Sequence, residues 1–374
     1  MQQRIRMLCF FQHPCEEGAG EFLGGQERRF LEISSFLRTF GVETFALEYE
    51  PSLVKLMETP SYHPIKLNHS SFLSKHSIFE TIRMISYGLK SCFKFRIDVI
   101  YSPGFWESLP GIIPAYIVSL VGRKPLVVVF HHLRSSDFSE KNPIKLSAFK
   151  HAKVIIVVSN ATAQDVRKCF KSKNVVVTGN GVNLELFKKP ETQMRSYEAV
   201  YFGRVSEEKG IYTLLKAWSI VTKKIPSAKL LLMGGFVFNS KEICQRLCED
   251  LGINKSVVFS GFVSDQDAVR MLGSSKIFVL PSQEEGFGLT VAEAMALGLP
   301  CVLSDLPALQ ENFHSAAIFV KPRDVEGLAE AIIALLTDDE KCKELAEKGQ
   351  QLAPSFSWEN VARKELEVIQ SVLL

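Results

Sequence analysis

The stretch LPSQEEGFGLTVAEAMA occupies residues 280–296 and is typical of a strand that passes through a tight turn into a helix. Gly286 and Gly288 remove side chains where this helix begins, so the backbone can approach a ligand closely. The first amides of a helix have no helical acceptor and carry partial positive charge, which favours an anion there. The amides concerned belong to Phe287, Gly288, Leu289 and Thr290. The turn is therefore predicted to bind a phosphate group.

Two carboxylates flank the same turn. Glu293 lies about one helical turn inside the helix, where its carboxylate can accept two hydrogen bonds from a vicinal diol such as a ribose. Glu285 precedes the helix and is expected on the opposite side of the phosphate. A carboxylate beside an anion site is costly unless it binds sugar hydroxyls or a developing cation. An acidic helix cap would explain Glu285, but it would not explain the two glycines together with Glu293.

A second loop, FGRVSEEKG at residues 202–210, also follows a short apolar run and precedes a helical segment. Arg204 and Lys209 frame this loop. Two cations together with helix amides suit a diphosphate, which carries about two negative charges and needs several hydrogen-bond donors. The alternative is a solvated loop in which Glu207 and Glu208 pair with these cations.

In the first half of the chain, glycines and histidines follow apolar runs in the same way. Residues 18–25 contain four glycines, and a helix is expected to begin near Gln26, so this backbone can also approach an anion. His131 and His132 follow the run 126–130, where a neutral imidazole can contact a sugar hydroxyl or share a proton. A flexible loop and a structural histidine are the respective alternatives.

The apolar runs lack the alternation of half-exposed strands, which favours parallel strands buried on both faces. Helical patterns lie between most of them, and this predicts an α/β protein with two doubly wound, Rossmann-like domains. The domain boundary is expected in the polar stretch 187–197. The predicted strands are Met7–Phe11, Thr44–Tyr49, Val99–Tyr101, Leu126–Phe130, Val154–Val158, Val175–Thr178, Ala199–Phe202, Lys229–Met233, Val257–Phe259, Ile277–Leu280, Cys301–Ser304 and Ala317–Val320. Ligands of such sheets bind at the carboxyl ends of strands, where the glycine-rich and charged loops lie.

The composition is that of a globular protein, since 46% of the 374 residues are hydrophobic and 23% are charged. This length favours two domains, and this composition excludes disordered and collagen-like proteins. The eight cysteines show no paired CxxC spacing, so we expect no zinc site and reduced thiols, as in a cytosolic protein. No run reaches the ~18 apolar residues that span a bilayer.

Charge is divided between the two halves of the chain. Residues 1–190 hold 25 Lys+Arg and 16 Asp+Glu, a net charge of +9, whereas residues 191–374 hold 19 and 25, a net charge of −6. The positive half favours an anionic surface or substrate. Nucleic acid is not expected, because the sequence has no basic cluster and no RNP-like aromatic motif.

Residues 72–96 combine apolar and basic residues in the pattern of a basic amphipathic helix, which favours an anionic membrane surface as a partner. The apolar residues of this pattern are Phe72, Phe79, Ile82, Ile85, Leu89 and Phe93. The alternative is an ordinary surface helix that packs on the core by this apolar stripe.

Four segments together resemble the retaining GT-B glycosyltransferases, specifically glycosyltransferase family 4. They are GGQE at 24–27, GNGVNLELF at 179–187, FGRVSEEKG at 202–210 and EEGFGLTVAEAMALGLPCVLSD at 284–305. They occur in the family's order over almost the whole chain, and the most specific mark is the seven-residue spacing between Glu285 and Glu293. The resemblance implies a GT-B fold of two facing Rossmann-like domains. Residues 1–190 would bind the acceptor, residues 191–356 would bind the donor, and the helix 357–374 would return to the first domain.

The resemblance also implies roles for single residues. Arg204 and Lys209 would bind the donor diphosphate, Glu293 would bind the ribose, and Glu285 and His131 would lie near the donor sugar. The expected catalytic residues are thus His131, Arg204, Lys209 and Glu285. The expected substrate-binding residues are Gly24, Gly25, Gly203, Gly286, Phe287, Gly288, Leu289 and Glu293. No metal or other cofactor is implied, since cationic side chains and helix amides would neutralise the leaving diphosphate.

The implied reaction is retaining transfer of a hexosyl unit from a nucleotide-diphosphate sugar to a hydroxyl of a glycan or of a polyprenyl- or lipid-linked acceptor. The implied place is the cytoplasm, with peripheral attachment to the inner face of the membrane. A nucleotide-sugar epimerase of the same fold and an inactive GT-B partner subunit are alternatives, and the intact charged residues disfavour the second. A dehydrogenase is disfavoured because no G-x-G-x-x-G opens a helix after a strand. The chain departs from the family at 307–311, PALQE, where many relatives carry two glycines before the Glu.

Overall fold

The chain forms two compact units according to its internal contacts. The computed structural model describes residues 4–10, 25–48, 62–67, 78–103, 109–131, 143–171, 174–188, 195–237 and 239–374. The first unit comprises Met1–Asn180 and Trp358–Leu374, and the second unit comprises Gly181–Ser357. The end of the chain therefore belongs to the unit in which the chain begins.

The second unit begins and ends at one place. Val182 N–H donates to the Phe356 carbonyl at 2.6 Å, and Val182 also forms an isolated parallel bridge with Ser357. These contacts place the start of the second unit beside its end. The domain limits expected from the sequence, which are 1–190, 191–356 and 357–374, stay a prediction.

The first unit is built on a parallel sheet with the strand order β3-β2-β1-β4-β5-β6-β7. Its strands are β1 Ile5–Phe10, β2 Val42–Glu48, β3 His63–Lys66, β4 Val99–Ser102, β5 Leu126–Phe130, β6 Val154–Val157 and β7 Val175–Val177. Every residue of β4, β5 and β6 is buried. Burial on both faces explains why these strands are unbroken apolar runs in the sequence.

Helices connect the strands of this sheet, as parallel neighbours require. They are α1 Gly25–Thr39, α2 Ile78–Lys94, α3 Leu109–Gly122, α4 Pro143–His151 and α5 Asn160–Phe170. The last helix of the chain packs on α1. It spans Trp358–Ser371 and is labelled α13, because seven helices of the second unit precede it. The predicted return of the last helix to the first unit is confirmed.

The second unit is built on a parallel sheet with the strand order β10-β9-β8-β11-β12-β13. Its strands are β8 Tyr197–Phe202, β9 Leu230–Met233, β10 Val257–Gly261, β11 Ser275–Leu280, β12 Cys301–Ser304 and β13 Ala317–Val320. Its helices are α6 Ile211–Lys224, α7 Ser240–Asp250, α8 Asp265–Gly273, α9 Leu289–Ala296, α10 Pro307–Phe313, α11 Val325–Thr337 and α12 Asp339–Leu352. The predicted α/β class with two doubly wound sheets is confirmed.

The strand order reverses once in each sheet. In the second unit, β8 lies between β9, which follows it in the chain, and β11, which comes much later. At such a switch point the loops after the two neighbouring strands leave toward opposite faces, and a crevice opens between them. The loops concerned are residues 203–210 after β8 and residues 281–288 after β11. The fold thus brings the two charged loops of the sequence to one edge.

The strand predictions agree well with the structure. The twelve predicted strands correspond to twelve of the thirteen strands in the described residues, and their ends differ by two residues at most. The strand that sequence reasoning missed is β3, His63–Lys66, which is short, contains a proline and lies at the sheet edge. A proline is tolerated there because an edge strand has no neighbour on one side. Phe11 and Tyr49, the ends of two predicted strands, lie outside the described residues.

Helix α2 buries only part of the apolar stripe that its sequence defines. Its buried residues are Glu80, Met84, Gly88, Ser91 and Cys92. Its exposed apolar residues are Ile78, Phe79, Ile82 and Phe93, with exposures of 72%, 60%, 55% and 79%. The helix predicted over 72–96 is therefore present over Ile78–Lys94, and Ile85 and Leu89 of its stripe pack against the core, whereas the other described residues of the stripe are exposed. Residues 72–77 lie outside the described residues.

A buried ion pair joins the first and the last helix of the first unit. Arg29 Nη2 in α1 lies 2.5 Å from Glu365 Oε1 in α13, and the two side chains are 2% and 0% exposed. The Tyr101 hydroxyl donates to Glu365 Oε2 at 2.8 Å, and Arg29 donates to Thr178 Oγ1 at 2.9 Å. Both charges are thus paired and hydrogen-bonded, which is the condition under which burial of charge is tolerated.

Three general features complete the description. The cysteines of the described residues are free thiols, and Cys15 lies outside those residues. Within the same residues, no group of three or more His, Cys, Asp and Glu side chains is placed to hold a metal ion. None of the described helices is both long enough and apolar enough to cross a membrane.

The buried pair predicts a large difference between two substitutions in α13. We expect Glu365→Ala to lower the free energy of unfolding by about 3–5 kcal/mol, because it leaves the Arg29 guanidinium buried without a counter-charge. The matched control is Lys364→Ala, which truncates an exposed side chain of the same helix and should change the free energy of unfolding by less than about 0.5 kcal/mol. Urea unfolding of the full chain, followed by circular dichroism, measures both. Equal losses in the two variants would show that the pair does not anchor the helix.

Candidate active site

The loop after β8 is held by a buried tyrosine. The Tyr201 hydroxyl donates to the Arg204 carbonyl at 2.6 Å. Burial, and then the nearby Glu285 carboxylate, raise the pKa of Tyr201 well above its ordinary value. The phenol therefore stays protonated and remains a donor, which fixes the backbone that carries the predicted Arg204 cation. The loop ends at Gly210, whose φ of 73° lies in the left-handed region that favours glycine.

The loop after β11 turns into α9 at Gly288. The φ of this residue is 93°, a conformation that favours glycine, and a Cβ added to it would lie 2.8 Å from Leu309 Cδ2 and displace that side chain. The Phe287 ring is buried and packs edge-on against Phe313 and Phe356, with centroid distances of 6.0 and 5.5 Å. Phe287 can therefore offer a ligand its backbone but not its ring.

Direct contacts join the two loops. Lys209 Nζ lies 2.6 Å from Glu285 Oε1, and the two side chains are only 18% and 14% exposed. The Ser282 hydroxyl donates to the same carboxylate oxygen at 3.3 Å. Gln283 N–H donates to the Glu208 carbonyl at 2.8 Å. The predicted cation and the predicted carboxylate thus form one cluster at the carboxyl ends of β8 and β11.

The backbones of the two loops also touch. A Cβ added to Gly210 would lie 1.9 Å from the Pro281 carbonyl oxygen, which leaves no room for a side chain. The Gln283 side chain donates to the Glu207 carbonyl at 3.0 Å and accepts from Arg323 Nη2 at 2.5 Å. This network fixes the spacing of the loops, and through it the distance between Lys209 and Glu285.

Arg204, the second predicted cation, has a weaker partner. Its Nη2 lies 3.8 Å from Glu208 Oε1, and the two side chains are 43% and 37% exposed. The alternative of pairing within the loop is therefore right for Arg204 and Glu208, whereas Lys209 pairs across to the other loop. A half-exposed pair at this distance contributes little, so the guanidinium can turn toward an anionic ligand.

Helix α9 presents its first amides at this edge of the sheet. Val291 N–H donates to the Gly288 carbonyl at 3.0 Å, which begins the helical hydrogen bonds. The amides of Leu289 and Thr290 precede that bond and have no acceptor inside the helix, so they can serve an anion. Glu293 lies one turn further along α9 and is 2% exposed.

The segment that departs from the family pattern, residues 307–311, forms the start of α10. Its first residue is a proline, which suits a first helical turn because the missing N–H would have no acceptor there. Leu309 packs on Gly288, and the Asn312 side chain donates to the Phe287 carbonyl at 3.2 Å. The segment therefore supports the turn into α9 by packing.

His131 follows β5 in the first unit and is 9% exposed. Burial and then the Arg29 guanidinium lower the pKa of His131 well below its ordinary value, against the opposing effect of a hydrogen bond to the Pro103 carbonyl. The imidazole is therefore neutral at physiological pH. One ring nitrogen donates to that carbonyl, and the other remains an acceptor.

The predicted residues are divided between the two units, and those of the second unit lie close together. Arg204, Lys209 and Glu285 lie in the joined loops of the second unit. Gly25 is the exposed first residue of α1 in the first unit. Gly24 and His132 lie outside the described residues.

Sequence reasoning missed the side chains that hold the loops in place. Tyr201 carries a detectable signal, since a hydroxyl in the buried part of a strand must find a partner. Ser282 and Gln283 carry none, because their partners are a carboxylate and backbone carbonyls that only the fold brings close.

Chemically, the second-unit loops combine donors for an anion with acceptors for hydroxyls. Arg204, Lys209 and the first amides of α9 can together neutralise a diphosphate. Glu285 and Glu293 can accept hydrogen bonds from sugar hydroxyls. No described cluster at this edge is placed to hold a metal ion.

The close contact between Gly210 and the Pro281 carbonyl predicts that alanine lowers the free energy of unfolding more at position 210 than at another glycine of similar φ. Gly210 and Gly252 have similar φ values, 73° and 68°, but a Cβ at Gly252 would meet nothing within 4 Å. We expect Gly252→Ala to cost about 1–2 kcal/mol of unfolding free energy from the left-handed conformation alone. Gly210→Ala should cost clearly more, because the methyl group would force the two loops apart. Urea unfolding compares the two variants, and an equal cost would contradict the described contact.

Profiles of known protein families match both halves of the chain. Residues 182–352 match the profile described as glycosyl transferases group 1, and residues 23–186 match the profile described as glycosyltransferase family 4. The chain is 27% identical over 222 residues to the O-antigen chain mannosyltransferase B of Escherichia coli. The matched region covers 56% of this chain and 58% of that protein. The chain thus spans less than two thirds of the length of the first curated relatives that it matches.

Solved structures share the fold over nearly the whole chain. The sucrose-phosphate synthase of Thermosynechococcus elongatus matches with a TM-score of 0.82 at 20% identity, covering 99% of both chains. Alr3699/HepE of Anabaena, solved in complex with UDP and glucose, matches with a TM-score of 0.82 at 18% identity, covering 98% of this chain and 100% of that chain. With both halves matched by family profiles and the whole fold shared, the chain belongs to the family 4 glycosyltransferases of GT-B fold.

Proposed function

We propose that this chain transfers a hexosyl unit from a nucleotide-diphosphate sugar to a hydroxyl of a glycan or lipid-linked acceptor, with retention at the anomeric carbon. The observation that carries the proposal is the joining of two charged loops at the switch point of the second unit, through the Lys209–Glu285 ion pair. Family membership supports glycosyl transfer. The mannosyltransferase relative supports a hexosyl donor, and the UDP and glucose bound by the Anabaena protein support a nucleotide sugar.

The donor diphosphate is the group that this edge of the second unit suits best. Arg204 can form two parallel hydrogen bonds with phosphate oxygens, and Lys209 supplies a second, compact charge. The amides of Leu289 and Thr290 add neutral donors and the positive end of the α9 dipole. Glu293, which is buried one turn further along α9, is proposed to accept hydrogen bonds from ribose hydroxyls.

Glu285 is held in a fixed position before any ligand arrives. Lys209 and Ser282 both contact its Oε1 atom, which leaves Oε2 to accept a hydrogen bond from a hydroxyl of the donor sugar. A carboxylate at this position also stabilises positive charge that develops on the sugar ring. Glu285 therefore serves both the binding and the electrostatic requirements of the proposed reaction.

His131 is proposed to act as a neutral hydrogen-bonding group. Its lowered pKa keeps the imidazole uncharged, and the Pro103 carbonyl fixes one ring nitrogen as the donor. The remaining nitrogen can accept from a sugar hydroxyl. A neutral acceptor near a developing cation avoids the repulsion that an imidazolium would cause.

In the proposed step, the acceptor oxygen forms a bond to the anomeric carbon while the bond from that carbon to the diphosphate oxygen breaks. The bonding electrons leave with the nucleoside diphosphate. The acceptor proton passes to an oxygen of the departing diphosphate, so the step needs no separate general base. Attack from the face of departure preserves the anomeric configuration. The rate then depends mainly on stabilisation of the leaving diphosphate by the cations and amides that hold it.

The charge of the chain supports an anionic acceptor. Residues 1–190 carry a net charge of +9, and a polyprenyl-phosphate-linked glycan on the cytoplasmic face of a membrane would be attracted to such a surface. Nucleic acid is not part of the proposal, because the sequence has no basic cluster of the kind that binds it.

Loss of either cation should reduce transfer. We expect Arg204→Ala and Lys209→Ala each to lower kcat/KM by about 100-fold, since each removes a charge-assisted contact to the leaving group. The matched controls are Arg270→Ala and Lys343→Ala, whose side chains are 74% and 79% exposed on other surfaces of the second unit. Their rates should stay within about twofold of the wild type. Near-wild-type rates for both Arg204→Ala and Lys209→Ala would contradict the proposal.

Panels of donors and acceptors distinguish glycosyl transfer from the two alternatives, a nucleotide-sugar epimerase and an inactive partner subunit. Thermal shifts with UDP- and GDP-sugars first identify a donor, because ligand binding to the native state raises the melting temperature. NMR then follows that donor alone and with free or polyprenyl-diphosphate-linked sugars. The expected result is an acceptor-dependent product with the anomeric configuration of the donor. Epimerised donor without acceptor would support the epimerase instead, and donor binding without any turnover would support an inactive partner subunit.

A further inference from the structure

The outward face of α2 has the composition of a surface that binds something apolar. Ile78, Ile82 and Phe93 are 72%, 55% and 79% exposed and recur at helical spacing, whereas Ile85 and Leu89 between them pack partly against the core. Residues at this spacing lie on one side of a helix. We call the exposed apolar residues of α2, which are Ile78, Phe79, Ile82 and Phe93, the outer stripe. Contiguous exposed apolar surface of this kind marks an interaction site.

The outer stripe is exposed because small residues occupy the buried face of α2. A Cβ added to Gly88 would lie 2.8 Å from both Phe10 Cζ and Val118 Cγ2, so the helix backbone rests directly on the core. Ser91 and Cys92 continue this buried face. Met84 fills the remaining space on this buried face, whereas Phe79, Ile82 and Phe93 are exposed on the other side of the helix.

The end of α3 lies beside the end of α2. Cys92 lies near Gly122, since a Cβ added to that glycine would be 3.7 Å from the Cys92 sulfur. Leu120 and Val121, just before Gly122, are 45% and 61% exposed. The last turn of α3 therefore also exposes apolar side chains next to α2.

The charges beside the outer stripe have one sign. Lys90 and Lys94 of α2, Arg96 after it, and Arg123 after α3 are exposed. The sequence of α2 has a single acidic residue, Glu80, which is buried and lies 3.0 Å from Arg83. An apolar stripe flanked by cations complements an anionic lipid surface, because acyl chains take up the apolar side chains and lysines reach the phosphates.

We infer that the outer stripe of α2, with the end of α3, docks this chain on the surface of an anionic bilayer. The helix lies in the interface plane, and its 17 residues provide about 25 Å of contact. The inference deepens the proposed function, since it places the chain where a lipid-linked acceptor is found. Binding to lipid needs neither donor nor acceptor, so it is measured separately from sugar transfer.

The test is flotation of the full chain with two kinds of vesicle, one of phosphatidylglycerol and phosphatidylcholine in equal parts and one of phosphatidylcholine alone. The wild type should float with the anionic vesicles, and high salt should weaken this binding because it screens the lysines. Ile82→Ser/Phe93→Ser should lower the partition coefficient at least about 10-fold, since it removes inserted apolar side chains. Lys90→Gln/Lys94→Gln should also lower it about 10-fold or more.

The matched control is Val258→Ser/Phe262→Ser, which removes apolar side chains that are 38% and 53% exposed in the second unit. This control should float like the wild type, and circular dichroism should show all variants folded. Unchanged flotation of both α2 variants, or no flotation of the wild type, would overturn the inference. A dimer would overturn the inference as well. Light scattering without vesicles would then show a concentration-dependent dimer that Ile82→Ser/Phe93→Ser dissociates, and the wild type would not bind vesicles. Transfer assays with a soluble acceptor would still test the proposed function in either case.

Discussion

The ion pair between Lys209 and Glu285 is the contact on which the second-unit site depends. The two residues are 76 positions apart in the chain, and the fold brings them together only because β11 returns to lie beside β8. The glycine at position 210 lets the two loop backbones touch, which brings the lysine within reach of the carboxylate. Because the pair is largely but not wholly buried, water compensates part of its desolvation. In the proposed donor site, the carboxylate would keep the lysine oriented before the diphosphate binds, and the amides of α9 would share the charge of that diphosphate.

Strands could be predicted from the sequence where both of their faces are buried. Strands such as β5 and β6 are covered on both faces, so their apolar runs leave little ambiguity. The edge strand β3 is different, because one neighbour is missing and four residues with a proline give no clear pattern. In α2, the helix itself could be predicted but the orientation of its faces could not. Of its apolar stripe, Ile85 and Leu89 pack against the core whereas Ile82 and Phe93 are exposed, and Gly88 lets the backbone approach the core more closely than a large side chain would.

The loops that form the candidate site could be predicted from the sequence, but the contacts between their side chains could not. Glycines and charges at strand ends identify Arg204, Lys209 and Glu285 as a group, since parallel strands end at one edge of a sheet. The sequence alone could not show which carboxylate pairs with which cation. Glu207, Glu208 and Glu285 all belong to loops that the predicted fold places at the same sheet edge, so each is an equally good partner. Nor could the sequence show that the Phe287 ring is buried, since an aromatic residue in a glycine-rich turn is equally compatible with contact to a ligand. Such details depend on partners that are distant in sequence and on backbone carbonyls, which have no residue-specific signature.

In the first unit, Arg29 connects the last helix with the environment of His131. The guanidinium is one of two causes that lower the pKa of His131, the larger being burial. The same guanidinium is paired with Glu365, which comes from the end of the chain. An unpaired buried guanidinium would oppose protonation of the imidazole more strongly, but it would also destabilise the unit by the full cost of a buried charge. The carboxylate of α13 removes that cost, while burial and the guanidinium together keep the pKa of the imidazole low and the ring neutral. The last helix thus allows the first unit to hold a cation and an uncharged histidine in one buried region.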